Sequence, residues 1–278
     1  MPCSVESGLH FATTDGVELR GDLYRPAGPG PHPVLVAASG GAWRRGDRGQ
    51  LAHWGRYLAN QGVAVFATDY RRSEHGKIWP KNLQDVAAAL AFVRSDGSRL
   101  GLDTDRIGLL GASAGAHLAA LAALADARSA PAPLRVLVGV YGVYDLAAHW
   151  RADLAKNAAK GEDPTERMLG ATPLEDPQLY LEASPIHAVT PAQRAPAVLL
   201  IWGESDGDVL PEQSFTFARA LQVAGFGVDT VAVPGAGHFW FSREPIEPDT
   251  FNGQVAPRLT SFLRENLVTD QGGAAEPT

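Results

Sequence analysis

Cysteine is nearly missing from this chain. Cys3 is the one thiol in 278 residues, which excludes an intrachain disulfide and any cysteine-built zinc cluster. Its place near the N-terminus, among polar residues, gives it no catalytic role. Lysine is almost as scarce, at four of the 24 basic residues, and 31 acidic residues bring the formal charge to -7. That balance repels polyphosphate, which works against a general nucleic-acid or anionic-membrane role and favours small or neutral partners. No run approaches the roughly 18 apolar residues that a membrane span requires. The opening MPCSVESGLHFATTDG has neither the basic nor the apolar segment of a secretory leader, and the expectation is a soluble, cytoplasmic protein. Arginine over lysine, with abundant alanine, fits a GC-rich bacterial genome.

What the chain does have is core-forming material: 45% of its residues are apolar and 20% charged, enough for one large α/β domain. VELRGDLY (17–24) alternates like a half-buried strand and leads into the turn PAGPGPHP, an antiparallel start. The short apolar runs VLVAAS (34–39), VAVFATDY (63–70) and RIGLLGAS (106–113) read as strands buried on both faces, since they lack alternation. Helical segments at 51–61 and 79–101 separate them, and LRVLVGVYG, AVLLIWGES and DTVAVPG continue the series. The pattern predicts a mostly parallel sheet of about eight strands with helices on both faces. Residues 1–278 form a single domain on this reading. A stretch from about 145 to 196 breaks into polar helical pieces and prolines, too long for a simple connection, and predicts a small lid. Residues 255–268 read as a closing amphipathic helix and 269–278 as a frayed tail.

The chemistry concentrates in Gly111-Ala112-Ser113-Ala114-Gly115, placed where a predicted strand ends and a helix begins. A serine on so sharp a turn needs small neighbours, and the turn lifts its hydroxyl to the top of the sheet. A serine hydroxyl needs a base, and of the eight histidines only His238, in the glycine-rich loop after DTVAVP, follows the last strong strand. An orienting acid belongs at the end of AVLLIWG, where Glu204, Asp206 and Asp208 stand. Asp206 is favoured, because one tight turn after Gly203 points it back at the sheet; Asp208 reads as a solvated or helix-capping carboxylate. The turn Ser39-Gly40-Gly41-Ala42-Trp43 after the first parallel strand offers unobstructed amides, so Gly41, Ala42 and Ala114 are the candidate oxyanion donors. Trp43, Phe239 and Trp240 are the candidate pocket residues, with Trp79, Trp150 and Phe241 divided between pocket and core.

On DLYRP, SGGAW with RRGD, VAVFATDYR, NLQDVAAALAFVR, DTDRIGLLGASAGAHLAAL, GESDGDVLPEQS and GAGH, the chain resembles the α/β-hydrolases across residues 15 to 267. Within them it is similar to the carboxylesterase branch of feruloyl-esterase-like, kynurenine-formamidase-like and hormone-sensitive-lipase-like enzymes. The resemblance implies an α/β-hydrolase fold, a Ser113–His238–Asp206 triad, and no metal or organic cofactor. One position departs from it: the branch usually has histidine, a loop-bonding residue that does not act on substrate, where this chain has Ser39. Asp69-Tyr70-Arg71, Asp105-Arg106 and His117 match the family as structural positions. The expected activity is cleavage of a small or aryl carboxylic ester through an acyl-enzyme. An arylformamidase or other amide hydrolase is the alternative, and a non-catalytic binding protein a remote third. The sequence leaves a homodimer open.

Overall fold

In the computed structural model, which describes residues 2–130, 132–157, 163–192 and 194–268, the chain opens with an antiparallel hairpin, β1 (Ser4–Thr14) and β2 (Val17–Arg25). Asp15 and Gly16 turn it with φ of 51° and 76°, the two positive angles that match a tight turn to the twist of its strands. β1 is absent from the sequence expectation. SVESGLHFATT has no sustained apolar alternation and is largely exposed, so its extended state comes from pairing with β2 rather than from its own pattern. The expected tail at 269–278 lies outside the described residues.

Strands and helices then alternate: β3 (His32–Ala38), α1 (Ala52–Asn60), β4 (Ala64–Thr68), α2 (Lys81–Asp96), β5 (Leu102–Ala112), α3 (Ala114–Ser129) and β6 (Val136–Val140). After β6 come α4 (Leu146–Asn157), α5 (Pro164–Leu169) and α6 (Pro177–Ala183), and then β7 (Ala197–Gly203), α7 (Glu212–Val223), β8 (Val228–Val233), α8 (Trp240–Arg243) and α9 (Phe251–Leu263). The eight strands lie in the order β1-β2-β4-β3-β5-β6-β7-β8. β2 pairs antiparallel with both its neighbours, β1 and β4, and the remaining pairs are parallel, the mostly parallel sheet with an antiparallel start that was expected.

The doubly buried strands explain the missing alternation. On β3, Val34, Val36 and Ala38 enter one core with Val86 of α2, Leu118 of α3 and Phe217 of α7, while Leu35 and Ala37 enter the other with Trp54 of α1 and Phe262 of α9. Both faces need apolar side chains, so both registers carry them. The segment between β6 and β7 shares the first of these cores through Trp150, Met168, Leu169, Tyr180 and Ala183. Two of its helices open on Asp-Pro: the carboxylates of Asp163 and Asp176 accept from first-turn amides, and Pro164 and Pro177 occupy the first helical position, where a missing N–H costs nothing.

Element ends shift from expectation where glycine or capping intervenes. α2 stops at Asp96 and passes into a single turn of 3-10 helix closed by Gly101 at φ 72°. α9 starts earlier than expected, at Phe251, where the Thr250 hydroxyl accepts from Gly253 N–H. Arg106 pairs with Asp103 rather than its neighbour Asp105, because a register shift between Leu102 and Ile107 bulges β5 there. No helix among the described residues is long and apolar enough to cross a membrane.

Candidate active site

Ser113 ends β5 and opens α3 with φ 54° and ψ -121°, a conformation that costs a non-glycine residue roughly 1–3 kcal/mol. The small flanking residues are a steric necessity. A Cβ on Gly111 would lie 2.5 Å from the Ala116 Cα, and one on Gly115 would lie 2.1 Å from the Ala38 carbonyl oxygen. The turn is fixed by Ser113 N–H donating to Val140 O at 2.8 Å, and by Ala116 N–H and His117 N–H donating to Ser113 O. The hydroxyl is left at the end of the sheet beside the first amides of α3, which have no acceptor one turn back.

Two loops deliver the partners. Ser205 N–H donates to Ala236 O at 2.9 Å and Glu204 N–H to Val233 O at 3.0 Å, so the loops after β7 and β8 are tied to each other. Gly203 permits this approach, since a Cβ there would meet Ala236 O at 2.3 Å. His238 Nε2 lies 3.0 Å from Ser113 Oγ, and His238 Nδ1 lies 2.6 Å from Asp206 Oδ2. Asp206, 3% exposed, uses its other oxygen to accept from Asp208 N–H and Val209 N–H, both at 2.9 Å. The three acidic candidates thereby separate: Glu204 and Asp208 are exposed, and Asp208 gives its backbone to holding Asp206. Asp208 does not cap the next helix either, because α7 begins at Glu212 after Pro211.

The loop bearing Gly41 and Ala42 comes close to the serine. A Cβ on Gly40 would stand 3.1 Å from Ser113 Cβ, and one on Gly41 would strike the Arg45 carbonyl oxygen at 1.8 Å. Gly41, Ala42 and Trp43 all have positive φ (114°, 52° and 56°). Side chains from elsewhere hold this strained run. Ser39 is fully buried; its hydroxyl accepts from Arg72 Nη2 at 3.0 Å and its carbonyl from Tyr70 OH at 2.8 Å, while Arg72 Nη1 donates to Gly40 O at 3.0 Å. The Arg72 guanidinium also stacks on the Tyr70 ring, 3.5 Å from its centroid. Where the resembling family places a loop-bonding histidine, this chain thus uses Ser39 with Arg72, a partner that spacing did not disclose.

Ser113, His238, Gly41, Ala42 and Ala114 line a cavity of about 630 Å³. The aromatic candidates divide. Phe239, 37% exposed, lines the cavity. Trp43 borders it but is buried, its indole N–H donating to His117 Nδ1 at 3.1 Å, so it anchors the loop. Trp240 is a correction: it does not line the cavity and is buried against Tyr141, Phe241 and Phe251. Phe239 has φ 71°, and the reversal turns the two neighbouring rings to different environments. Phe241 stacks on Trp54, and Trp150 donates its indole N–H to Glu166; both belong to packing. Trp79 lies against His117.

Tyr141 and His149 are among the cavity residues that escaped the sequence reading. Tyr141, at the carboxyl end of β6, places its ring 4.3 Å from the His238 ring; its position at a parallel strand's carboxyl end was the available signal. His149 of α4 forms a wall shared with a second cavity of about 120 Å³, and burial pushes its imidazole down to about 4. Among the described residues no group of His, Cys, Asp and Glu is arranged to hold a metal ion.

With this geometry in place, the chain can be compared with known proteins. The BD-FAE family model matches residues 22–221. Esterase LipC of Mycobacterium tuberculosis (strain ATCC 25618 / H37Rv) is 34% identical over 221 residues, 75% of this chain and 53% of that protein. Isoprenylcysteine alpha-carbonyl methylesterase ICME of Arabidopsis thaliana is 30% identical over 244 residues, 81% of this chain and 55% of that protein. The chain therefore spans about half the length of these relatives. Among solved structures, a truncated form of a carbohydrate esterase from gut microbiota superposes with a TM-score of 0.79 at 24% identity, over 96% of this chain and 98% of that one. That likeness shows the α/β-hydrolase fold.

Proposed function

The chain belongs to the BD-FAE family, and from that membership we propose that it hydrolyses carboxylic esters through an acyl-enzyme formed on Ser113. The observation that carries the reading is the continuous hydrogen-bonded series Ser113 Oγ, His238, Asp206 at a cavity wall. In it a hydroxyl meets a base, and the base meets a buried carboxylate that fixes its tautomer. Ser113 Oγ attacks the ester carbonyl carbon while its proton passes to His238 Nε2. The carbonyl oxygen takes the negative charge, and the amides of Ala114 with Gly41 and Ala42 stabilise it. The imidazolium then protonates the departing alkoxide, which leaves as the alcohol. A water molecule gives a proton to the same nitrogen, attacks the acyl carbon, and the acid leaves as the proton returns to Ser113.

The segment expected as a lid, about 145–196, supplies His149, Asp153 and Lys156 of α4 to the cavity wall, and we assign it that role within a single domain. The cytoplasmic compartment and the homodimer belong to the same proposal, with cell fractionation and light scattering as their tests. A fluorophosphonate probe should label the protein at Ser113, located by peptide mass, and Ser113→Ala should abolish both labelling and p-nitrophenyl acetate turnover. Labelling elsewhere, or turnover that survives the substitution, would remove Ser113 as nucleophile. N-formylkynurenine supplied in parallel decides between ester and amide preference.

A further inference from the structure

Several arginines of this protein are matched with acid. Arg48, Arg71, Arg94, Arg106 and Arg258 each pair with a carboxylate. Arg44, Arg45 and Arg243 line the candidate active-site cavity, and none of them has a carboxylate of the described residues within 4.0 Å. Arg44 is the sharpest case, because its Nε is shielded from solvent and has no hydrogen-bond acceptor. A buried donor left in that state is unfavourable until an acceptor reaches it.

Their placement follows from the turns that carry the chemistry. The amides of Arg44 and Arg45 both donate to Gly41 O, at 3.0 and 3.1 Å, so they close the turn that holds Gly41 and Ala42. Both residues also face an outer depression shared with Glu74 and Arg167, which puts them on the rim. Arg243 follows His238 by five residues, its amide donates to Phe239 O at 3.1 Å, and its guanidinium lies 4.3 Å from the Phe239 ring centroid. Cationic charge therefore stands on both the oxyanion-loop side and the base-loop side, in a molecule whose net charge is -7. The remaining charged groups of the cavity are Asp153, Asp208 and Lys156, whose ammonium donates to Gly207 O at 2.6 Å.

We propose that the substrate is an ester bearing an anionic group, a carboxylate on its acyl or its alcohol side, held by Arg44, Arg45 and Arg243. The proposal rests on the esterase reading of the same site. Guanidinium suits the task because its planar donors match a carboxylate in pairs, and charge-assisted bonds of this kind are the stronger ones.

Two matched pairs of esters test it. On the acyl side, p-nitrophenyl hydrogen glutarate is compared with p-nitrophenyl pentanoate; on the alcohol side, p-acetoxybenzoate with its methyl ester. In one of the pairs the charged ester should have the higher kcat/KM by about tenfold. The ratio should fall toward unity in Arg44→Gln, Arg45→Gln and Arg243→Gln, and with added KCl. Taking the ratio within each variant removes any general loss of folding. A neutral ester preferred in both pairs, or a ratio that none of the substitutions moves, overturns the proposal. Calorimetry on the Ser113→Ala protein separates the two readings. Tighter binding of a charged ester, with no ester turned over by the unsubstituted protein, overturns the esterase reading and supports the arginine site. Equal binding of charged and neutral esters overturns the arginine site whatever the turnover.

Discussion

Asp206 and Asp208 stand two residues apart in one loop, and the chemistry gives them unlike duties. Asp206 Oδ2 meets His238 Nδ1 at 2.6 Å, while Oδ1 is occupied by two backbone amides. In Asp206→Asn the amide oxygen keeps those backbone bonds and its NH2 then faces Nδ1, which reverses the imidazole tautomer. Turnover of p-nitrophenyl acetate should fall by about a thousandfold or more, whereas Asp208→Asn, which keeps its backbone N–H, should lose far less. The reverse ranking of kcat would transfer the role to Asp208. Ser39 poses a steric question. It is fully buried between Arg72 and Tyr70, so the imidazole of Ser39→His has no free volume and would displace the Arg72 guanidinium from Gly40 O. The expected result is a lower kcat together with a lower thermal midpoint, reflecting the roughly 1–3 kcal/mol of stability that overpacking typically costs. A faster enzyme of unchanged stability would mean that the loop accommodates the ring.

At the scale of elements, α3 does more than present Ser113. His117, one turn along, accepts from the Trp43 indole at Nδ1 and lies 2.7 Å from Ala183 O at Nε2, joining the loop of Gly41, Ala42 and Trp43 to the end of α6. That pairing requires a neutral ring, and burial pushes its pKa from 6.5 down to about 4. Between these values the unfolded chain binds a proton that the folded chain refuses. Stability should therefore be full above pH 6.5 and decline as pH falls toward 4. His149 is depressed to about 4 as well and acts in the same sense. Urea midpoints at pH 7 and pH 4.5 measure the decline, and His117→Gln, which cannot take the proton, should reduce it and leave the part due to His149. A variant that loses as much as its parent would show that His117 is not coupled to folding.

Across the whole molecule, a buried ion pair with an arm to the β1–β2 turn helps tie the antiparallel edge to the parallel sheet. Asp85 of α2, fully buried, accepts from the Arg71 guanidinium and from Arg71 N–H beyond β4, and Arg71 reaches on to Asp15 in the β1–β2 turn. Removing Asp85 leaves the buried Arg71 guanidinium with only the exposed carboxylate of Asp15 as its ionic partner, the costly way to break such a pair. Asp85→Ala should lower the free energy of unfolding by about 3 kcal/mol, read from chemical denaturation. A loss below about 1 kcal/mol, the range of exposed pairs, would show that solvent reaches Arg71 once its partner is gone.

How much of this was legible follows from the range of the forces involved. The strand–serine–helix turn, the Asp-Pro helix starts and the doubly apolar strands are dictated within a few residues, by clashes at Gly111 and Gly115, by orphan amides, and by burial on both faces of a sheet. A linear reading is sufficient for such features, and it also drew Ser113, His238 and Asp206 together by chain order. What sequence could not hold was anything settled by a distant partner. β1 is extended because β2 pairs with it. Trp240 is core while Phe239 is cavity because a positive φ separates neighbours of equal apolarity. Ser39 is satisfied by an arginine 33 residues away. Nothing in the chain order groups Arg44, Arg45 and Arg243, which the fold sets around one cavity. Local sterics act between residues adjacent in the chain and are written there, whereas pairing, burial and charge balance depend on which surfaces meet, and the tertiary structure alone decides that.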